Sequence, residues 1–291
     1  MNTVRFFVPF DKLEPEERES FYGSSRIGLC QRPDSEAGKR YIRKRGLDAE
    51  TIAKFRLGYV PFSLGHALSG RIVIPIFDNY SKLIALSFRP IFDIIVTTEG
   101  KWHTAVELRR EVNEYVFFDE NDKQQRLDMN SVAQIQNPQP KYWHESYAKA
   151  EHLFGLNLAI YSIVRDGFVI VCEGQFDVMA MYSQGIKNVV GICGSALCPI
   201  QVMLLKRWTD KIVLLMDGDE AGRKATERAK ELLDIWNHKG QSLFESAITY
   251  LPEDLDPDDY LVRHGSHFMR KSIGEAMLVS GLTYPRKWAS S

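Results

Sequence analysis

Cysteine is scarce in this sequence, and what little there is rules out a common use of it. Cys30, Cys172, Cys193 and Cys198 are the only four in 291 residues, and no C-x2-C pair of the kind that builds a zinc site occurs among them. Cys193 and Cys198 have no matching His or Cys pair to complete a tetrahedron, so reduced structural thiols are expected and zinc is not. Long hydrophobic runs are missing too: none approaches the ~20 residues of a membrane span. The N-terminal MNTVRFFVPFDKLEPEERES lacks the basic start, long apolar centre and small-residue cleavage site of a secretory signal. A cytoplasmic, membrane-free protein is the expectation. Charge of one sign is also lacking, since 37 Lys and Arg face 38 Asp and Glu for a formal net charge of −1. That excludes a globally basic nucleic-acid binder but leaves room for a basic face, because binding follows the local field.

What is present suits a globular chain of two modest domains, with 44% hydrophobic and 26% charged residues. GKRYIRKRGLDAETIAKF reads as helix, turn, helix, with Gly46 in the turn and Asp48 as the second helix's N-cap. Arg71 to Phe77 and Leu83 to Phe88 are β-rich runs around a D-N-Y-S-K turn and predict a hairpin. Between Ile91 and Pro140 the signal weakens. EYVFFDENDKQQRL reads as another hairpin, VAQIQNPQP as a connecting loop, and the stretch carries no functional motif.

From Asp166 the pattern sharpens. FVIVCEG, KNVVGICG, KIVLLMDGD and ESAITYLP are short apolar runs alternating with three helical segments, the signature of a parallel sheet covered on both faces. Ligands collect at the carboxyl ends of such strands, and acids fall there. Glu173 ends the first strand, Asp217 and Asp219 flank Gly218 after the third, and Asp256 and Asp258 flank Pro257 after the fourth. Paired carboxylates repel unless a cation lies between them, and hard divalent ions take oxygen ligands of this kind. Asp177 reads equally as a first-turn acid favoured by the helix dipole.

The series VCEGQFDVMA, GICGSAL and LLMDGDEAGRKA resembles the Toprim domain of topoisomerases and primases. Upstream, YIRKRGLDAETIAKFRLGYVP, GRIVIPIFDNYSKLIALSFRP and PKYWHES with HLFGLNLA resemble, in order, segments of DnaG-type primases, as does LPEDLDPDDYLVRHG downstream. The resemblance runs from about Arg40 to Gly265, broken only by the middle stretch. It implies an α/β fold: a Toprim domain with a mostly parallel sheet flanked by helices, preceded by a smaller α+β N-terminal subdomain. The expected boundaries are 1–150 for the N-terminal subdomain, 151–262 for Toprim and 263–291 for a short helical C-terminal segment.

The resemblance also implies a function: RNA primer synthesis from NTPs on single-stranded DNA, with two or more Mg2+ or Mn2+ ions. Glu173 would bind metal or handle a proton near the reacting 3′-hydroxyl. Asp217, Asp219 and Asp258 would be metal ligands, with Asp177 and Asp256 in support. Arg45, Arg71, Arg89, Lys141 and Lys149 match the family's basic ridge for DNA or nucleotide. Tyr142 and Trp143 could stack on bases or pack on the sheet; Arg223 and Lys224 could reach a triphosphate or form a polar helix face. Three departures stand out: no zinc-module cysteines, a long Ile91 to Pro140 stretch, and little chain for a C-terminal helical subdomain. An expressed core fragment fits these departures, as does a compact phage-encoded primase served by a zinc module in trans and a replicative helicase. The competing readings are a Toprim-type metal-dependent nuclease and a non-catalytic replisome DNA-binding protein.

Overall fold

The computed structural model describes residues 16, 20, 22–23, 35–62, 68–109, 112–118, 123–136, 142–194, 196–237, 243–252, 255–285 and 288. The chain forms two compact units. One comprises Met1–Lys44, Arg56–Pro75 and Ala85–Ser146, the other Arg45–Phe55, Ile76–Ile84 and Tyr147–Ser291.

The first unit opens on helix α1 (Glu36–Lys44), whose acidic first turn and basic last turn complement the helix dipole. Strands β1 (Gly58–Val60), β2 (Arg71–Phe77), β3 (Leu83–Pro90) and β9 (Trp143–His144) form a sheet in the order β1-β2-β3-β9. The predicted hairpin is thus β2 and β3. Gly70 closes the approach to β2 at φ +70, and a Cβ there would lie 2.2 Å from the Phe62 ring and 2.8 Å from Phe92. Only glycine fits that corner.

The middle stretch folds into a five-stranded antiparallel sheet, β7-β6-β5-β4-β8. Its strands are β4 (Asp93–Thr97), β5 (Trp102–Arg109), β6 (Glu114–Phe118), β7 (Gln124–Asp128) and β8 (Val132–Gln136). The EYVFF and QQRL runs pair as the hairpin expected of them, Tyr115 opposite Leu127. VAQIQ, which reads as a loop in the sequence, is a strand instead, paired with β4 through Ile95↔Ile135 and Val96↔Gln134. Its residues are mostly exposed at the sheet's edge, so backbone pairing holds it and no apolar alternation announces it. A small core of Ile95, Ala105 and Tyr115, packed by Leu127, Met129 and Val132, covers one face.

The second unit contains the expected parallel sheet, in the order β11-β10-β12-β13, from β10 (Val169–Cys172), β11 (Val189–Gly191), β12 (Lys211–Leu214) and β13 (Glu245–Ile248). Its helices are α2 (Ala49–Lys54), α3 (Leu156–Asp166), α4 (Gln175–Ser183), α5 (Pro199–Lys206), α6 (Glu220–Asn237) and α7 (Pro257–Val279, kinked at Gly265). The α/β class read from the sequence is therefore the observed one. Val169, Val171, Ile212 and Leu214 are fully buried and pack with Ile163, Val202, Leu205 and Leu233 from the helices. Burial on both faces is why these strands read as continuous apolar runs. Asp48 caps α2 as expected, accepting from the Thr51 N–H at 2.7 Å. Among the described residues, no helix is long and apolar enough to cross a membrane.

From β10 the chain steps to one side, to β11, and later strands add on the other side, at β12 and β13. The reversal puts a topological switch point between β10 and β12, where an open parallel sheet forms its crevice.

Candidate active site

The switch point is lined by acids. Glu173 follows the last residue of β10, and Asp217 lies three residues beyond the end of β12. Backbone bonds tie the strand ends together: Leu215 N–H, after β12, donates to the Val171 carbonyl of β10 at 2.9 Å, and Cys193 N–H, after β11, donates to that of Glu173 at 3.0 Å. The Asp217 main-chain N–H donates to the Glu173 carboxyl. Even so, the Glu173 carboxyl is pushed up to about 7, by burial first and then by the Asp217 and Asp219 charges, with Arg228 opposing. Its Oε1 is buried with no protein partner.

Asp177, Asp256 and Asp258 form the second half of the site, each offering a carboxylate oxygen within 4.8 Å of the others. Asp177 is at the third position of α4, where it accepts from the Gly174 N–H at 2.8 Å. Burial, then Asp217, Asp258 and Asp256, push its carboxyl well above the usual range. Asp256 caps α7, accepting from the Asp259 N–H at 3.0 Å, and is pushed up by burial and by the hydrogen-bonded Asp258 beside it. Asp258 is buried and its Oδ2 is paired with Arg45 Nη1. Asp217 acts on both Glu173 and Asp177, so the two groups share one field.

Asp219 is exposed, and its Oδ1 accepts from the Gly222 N–H at 2.8 Å, which starts α6. A Cβ on Gly222 would lie 2.2 Å from the Asp217 carbonyl oxygen, so the helix approaches the acid loop as closely as it does only because residue 222 has no side chain.

These groups suit a hard divalent cation. All the donors are oxygens, three carboxylates converge, and the buried Glu173 Oε1 lacks a partner. Asp177 and Asp256, both pushed up by burial and by neighbouring carboxylates, would ionise more readily with a cation between them.

Of the basic positions expected from the sequence, Lys141 lies outside the described residues, and the other four are divided between the two units. Arg45 sits in the acid cluster, paired with Asp258 and 5.3 Å from the Phe176 ring centre. Arg71 is half-buried over Phe92, and that burial lowers its pKa. Arg89 lies 4.7 Å over the Tyr142 ring, which stacks on His144. Lys149 stands in a 3-10 turn of the second unit. Trp143 packs on Phe88 at 5.2 Å, so its ring belongs to the sheet. Arg223 Nε donates to the Gly218 carbonyl at 2.9 Å and Lys224 pairs with Glu220, so both serve the start of α6. No local pattern announces the Arg45–Asp258 pair, whose members lie 213 positions apart.

Comparison with known proteins agrees with this geometry. Residues 170–261 match a Toprim-like family. The DNA primase of Aquifex aeolicus is 31% identical over 277 residues, covering 94% of this chain and 49% of that protein. The crystal structure of its zinc-binding and RNA polymerase domains superposes with a TM-score of 0.65 at 26% identity, over 92% of this chain and 63% of that one. Over most of its length the chain resembles DnaG-type DNA primases. A DnaG primase catalytic domain bound to single-stranded DNA has the same fold, with a TM-score of 0.64 at 21% identity over 90% of this chain and 80% of that one. The chain spans about half the length of the curated primase it matches, 49% in the Aquifex case. The Toprim-like match spans Glu173, Asp177, Asp217, Asp219, Asp256 and Asp258, and three of these, Asp177, Asp256 and Asp258, are close enough together to hold a metal ion.

Proposed function

We propose that this chain joins ribonucleotides from NTPs into short RNA primers on single-stranded DNA during replication. One observation carries the reading: Asp177, Asp256 and Asp258 converge within 4.8 Å, and the Asp217 charge acts on both Asp177 and Glu173 at the end of β10. Two or more Mg2+ or Mn2+ ions bound there would offset triphosphate charge and favour the ionised 3′-hydroxyl. Asp217, Asp219 and Asp258 are the proposed ligands, with Asp177 and Asp256 in support. Glu173, with its carboxyl near 7, is suited to take the 3′-hydroxyl proton at neutral pH, because a general base works best near the ambient pH. We expect no zinc in this chain.

The proposed division of labour follows the sequence. Residues 1–150 hold the template, 151–262 carry the chemistry, and 263–291 form a short helical end. Arg71, Arg89, Lys141 and Lys149 are proposed phosphate contacts, and the Arg89–Tyr142 pair offers a cationic aromatic platform for a base. A zinc-binding module supplied in trans and a replicative helicase are the proposed partners, in the cytoplasm of a bacterial or phage-infected cell.

The test is incubation with single-stranded DNA and Mg2+ or Mn2+, with and without the four NTPs. New RNA that depends on NTPs supports the reading. Shortened DNA with no RNA replaces it with a nuclease, and binding without turnover replaces it with a scaffold.

A further inference from the structure

Arg45 occupies an unusual place for a residue read from the sequence as a template contact. Its Nη1 is paired with Asp258 Oδ2, and the Asp258 side chain is 3% exposed against 26% for Arg45. Its charge also reaches Asp256, so it acts on two of the three clustered carboxylates. The guanidinium rests over the Phe176 ring on α4.

The segment that carries it is pinned to the same helix. Ser183 Oγ donates to the Gly46 carbonyl at 3.1 Å and accepts from the Asp48 N–H at 2.9 Å. Lys187 pairs with Glu50 at 2.9 Å, and Phe55 packs on Phe154 and Tyr182. The turn at Arg45 is thereby fixed beside the acids, and the side chain reaches them with its backbone already held.

We propose that Arg45 is a tethered counter-cation that competes with a divalent ion for Asp258 and so keeps the cluster's metal affinity low. The inference rests on the divalent site proposed above. Without metal, the guanidinium offsets one carboxylate charge in a partly dehydrated pocket, where leaving that charge uncompensated is costly. With metal present, the same carboxylate faces two cations that repel each other. Arg45 therefore stabilises the metal-free state more than the loaded one. By linkage, whatever favours the metal-free state weakens metal binding by the same factor. Once freed from Asp258, the Arg45 guanidinium would be suited to phosphate.

The test is Mn2+ titration of the whole chain, without DNA or nucleotide, followed by calorimetry. Arg45→Gln should tighten Mn2+ binding about ten-fold and lower the melting temperature measured in chelator. Arg45→Lys keeps the charge and should stay near the unaltered affinity. Unchanged or weaker Mn2+ binding in Arg45→Gln overturns the inference, as does loss of single-stranded DNA affinity with no change in Mn2+ binding. An unaltered chain that binds no Mn2+ at all overturns the metal site itself, a separate outcome. Where Arg45→Gln does not fold, nuclear magnetic resonance of the unaltered chain decides. Rotation of the Arg45 guanidinium should be slow without metal and should quicken on adding Mg2+; rotation indifferent to Mg2+ overturns the inference.

Discussion

The main-chain N–H of Asp217 donates to the carboxyl of Glu173, joining the loops that leave β10 and β12. These are the strands between which the order of connection reverses in the parallel sheet, so the bond ties the two sides of the crevice. It holds the Glu173 carboxyl in place but does not neutralise it, since burial and the Asp217 and Asp219 charges still push that carboxyl up to about 7.

A proton acceptor in this position should be needed for chemistry and unfavourable for stability. Glu173→Gln keeps the shape and removes the charge. Primer synthesis should fall by about 10²-fold or more, while the melting temperature in chelator at pH 8 rises. An unchanged rate in a primer-extension assay would remove Glu173 from the mechanism.

The same carboxyls should set how stability without metal depends on pH. An acid whose pKa is raised by folding binds its proton more tightly when folded, so its stabilisation is complete below the unfolded pKa and is lost as pH rises through the folded one. For Glu173 the window runs from about 4.5 to about 7, and Asp177 and Asp256, raised in the same direction, extend the loss. Urea midpoints in chelator should therefore fall as pH goes from 5 to 8. Mg2+ should restore more at pH 8 than at pH 5, and a flat chelator profile would mean that the acids do not repel. Asp48, whose pKa is lowered in the fold by its bonds to Thr51 and Ser183, acts oppositely and loses its contribution as pH falls below 4.

Much of this site was legible in the sequence, because its chemistry is carried by strand ends and a buried parallel strand announces itself as a bounded apolar run. Val169–Cys172 and Lys211–Leu214 are such runs, and Glu173, Asp217 and Asp219 follow at their ends. Val132–Gln136 was misread for the opposite reason: an exposed edge strand needs only its backbone to pair. Arg45 was legible as a basic residue but not as the partner of an acid 213 positions away, since that meeting depends on residues 45–55 packing within the second unit.

The Asp48 cap offers a way to loosen that segment without touching the acids. Asp48→Ala removes the acceptor for the Thr51 N–H and should cost about 1 kcal/mol in urea unfolding. Asp48→Asn preserves the cap and should cost little. Equal losses from the two substitutions would assign the effect to charge instead.

Gly222 tests how tightly the acid loop is held. In Gly222→Ala the new methyl would lie 2.2 Å from the Asp217 carbonyl oxygen and 2.9 Å from its nitrogen, so the loop must shift. Displacing a reacting group by ~1 Å costs about 10²-fold in rate. Primer synthesis should fall by about that much, with the parallel sheet intact by circular dichroism. Full activity would show that the loop gives way without consequence.

Asp219 separates charge from structure most cleanly, because its visible structural task is one that asparagine performs equally well. Its Oδ1 accepts from the Gly222 N–H at 2.8 Å, and Asn caps a helix as effectively as Asp. The side chain is exposed, so removing its charge leaves no buried group unpaired. Asp219→Asn should therefore melt at the temperature of the unaltered chain while losing about 10²-fold in primer synthesis, and its Mn2+ affinity should drop. Loss of activity together with stability would make Asp219 a helix cap alone, and retention of both would place the metal with the other acids.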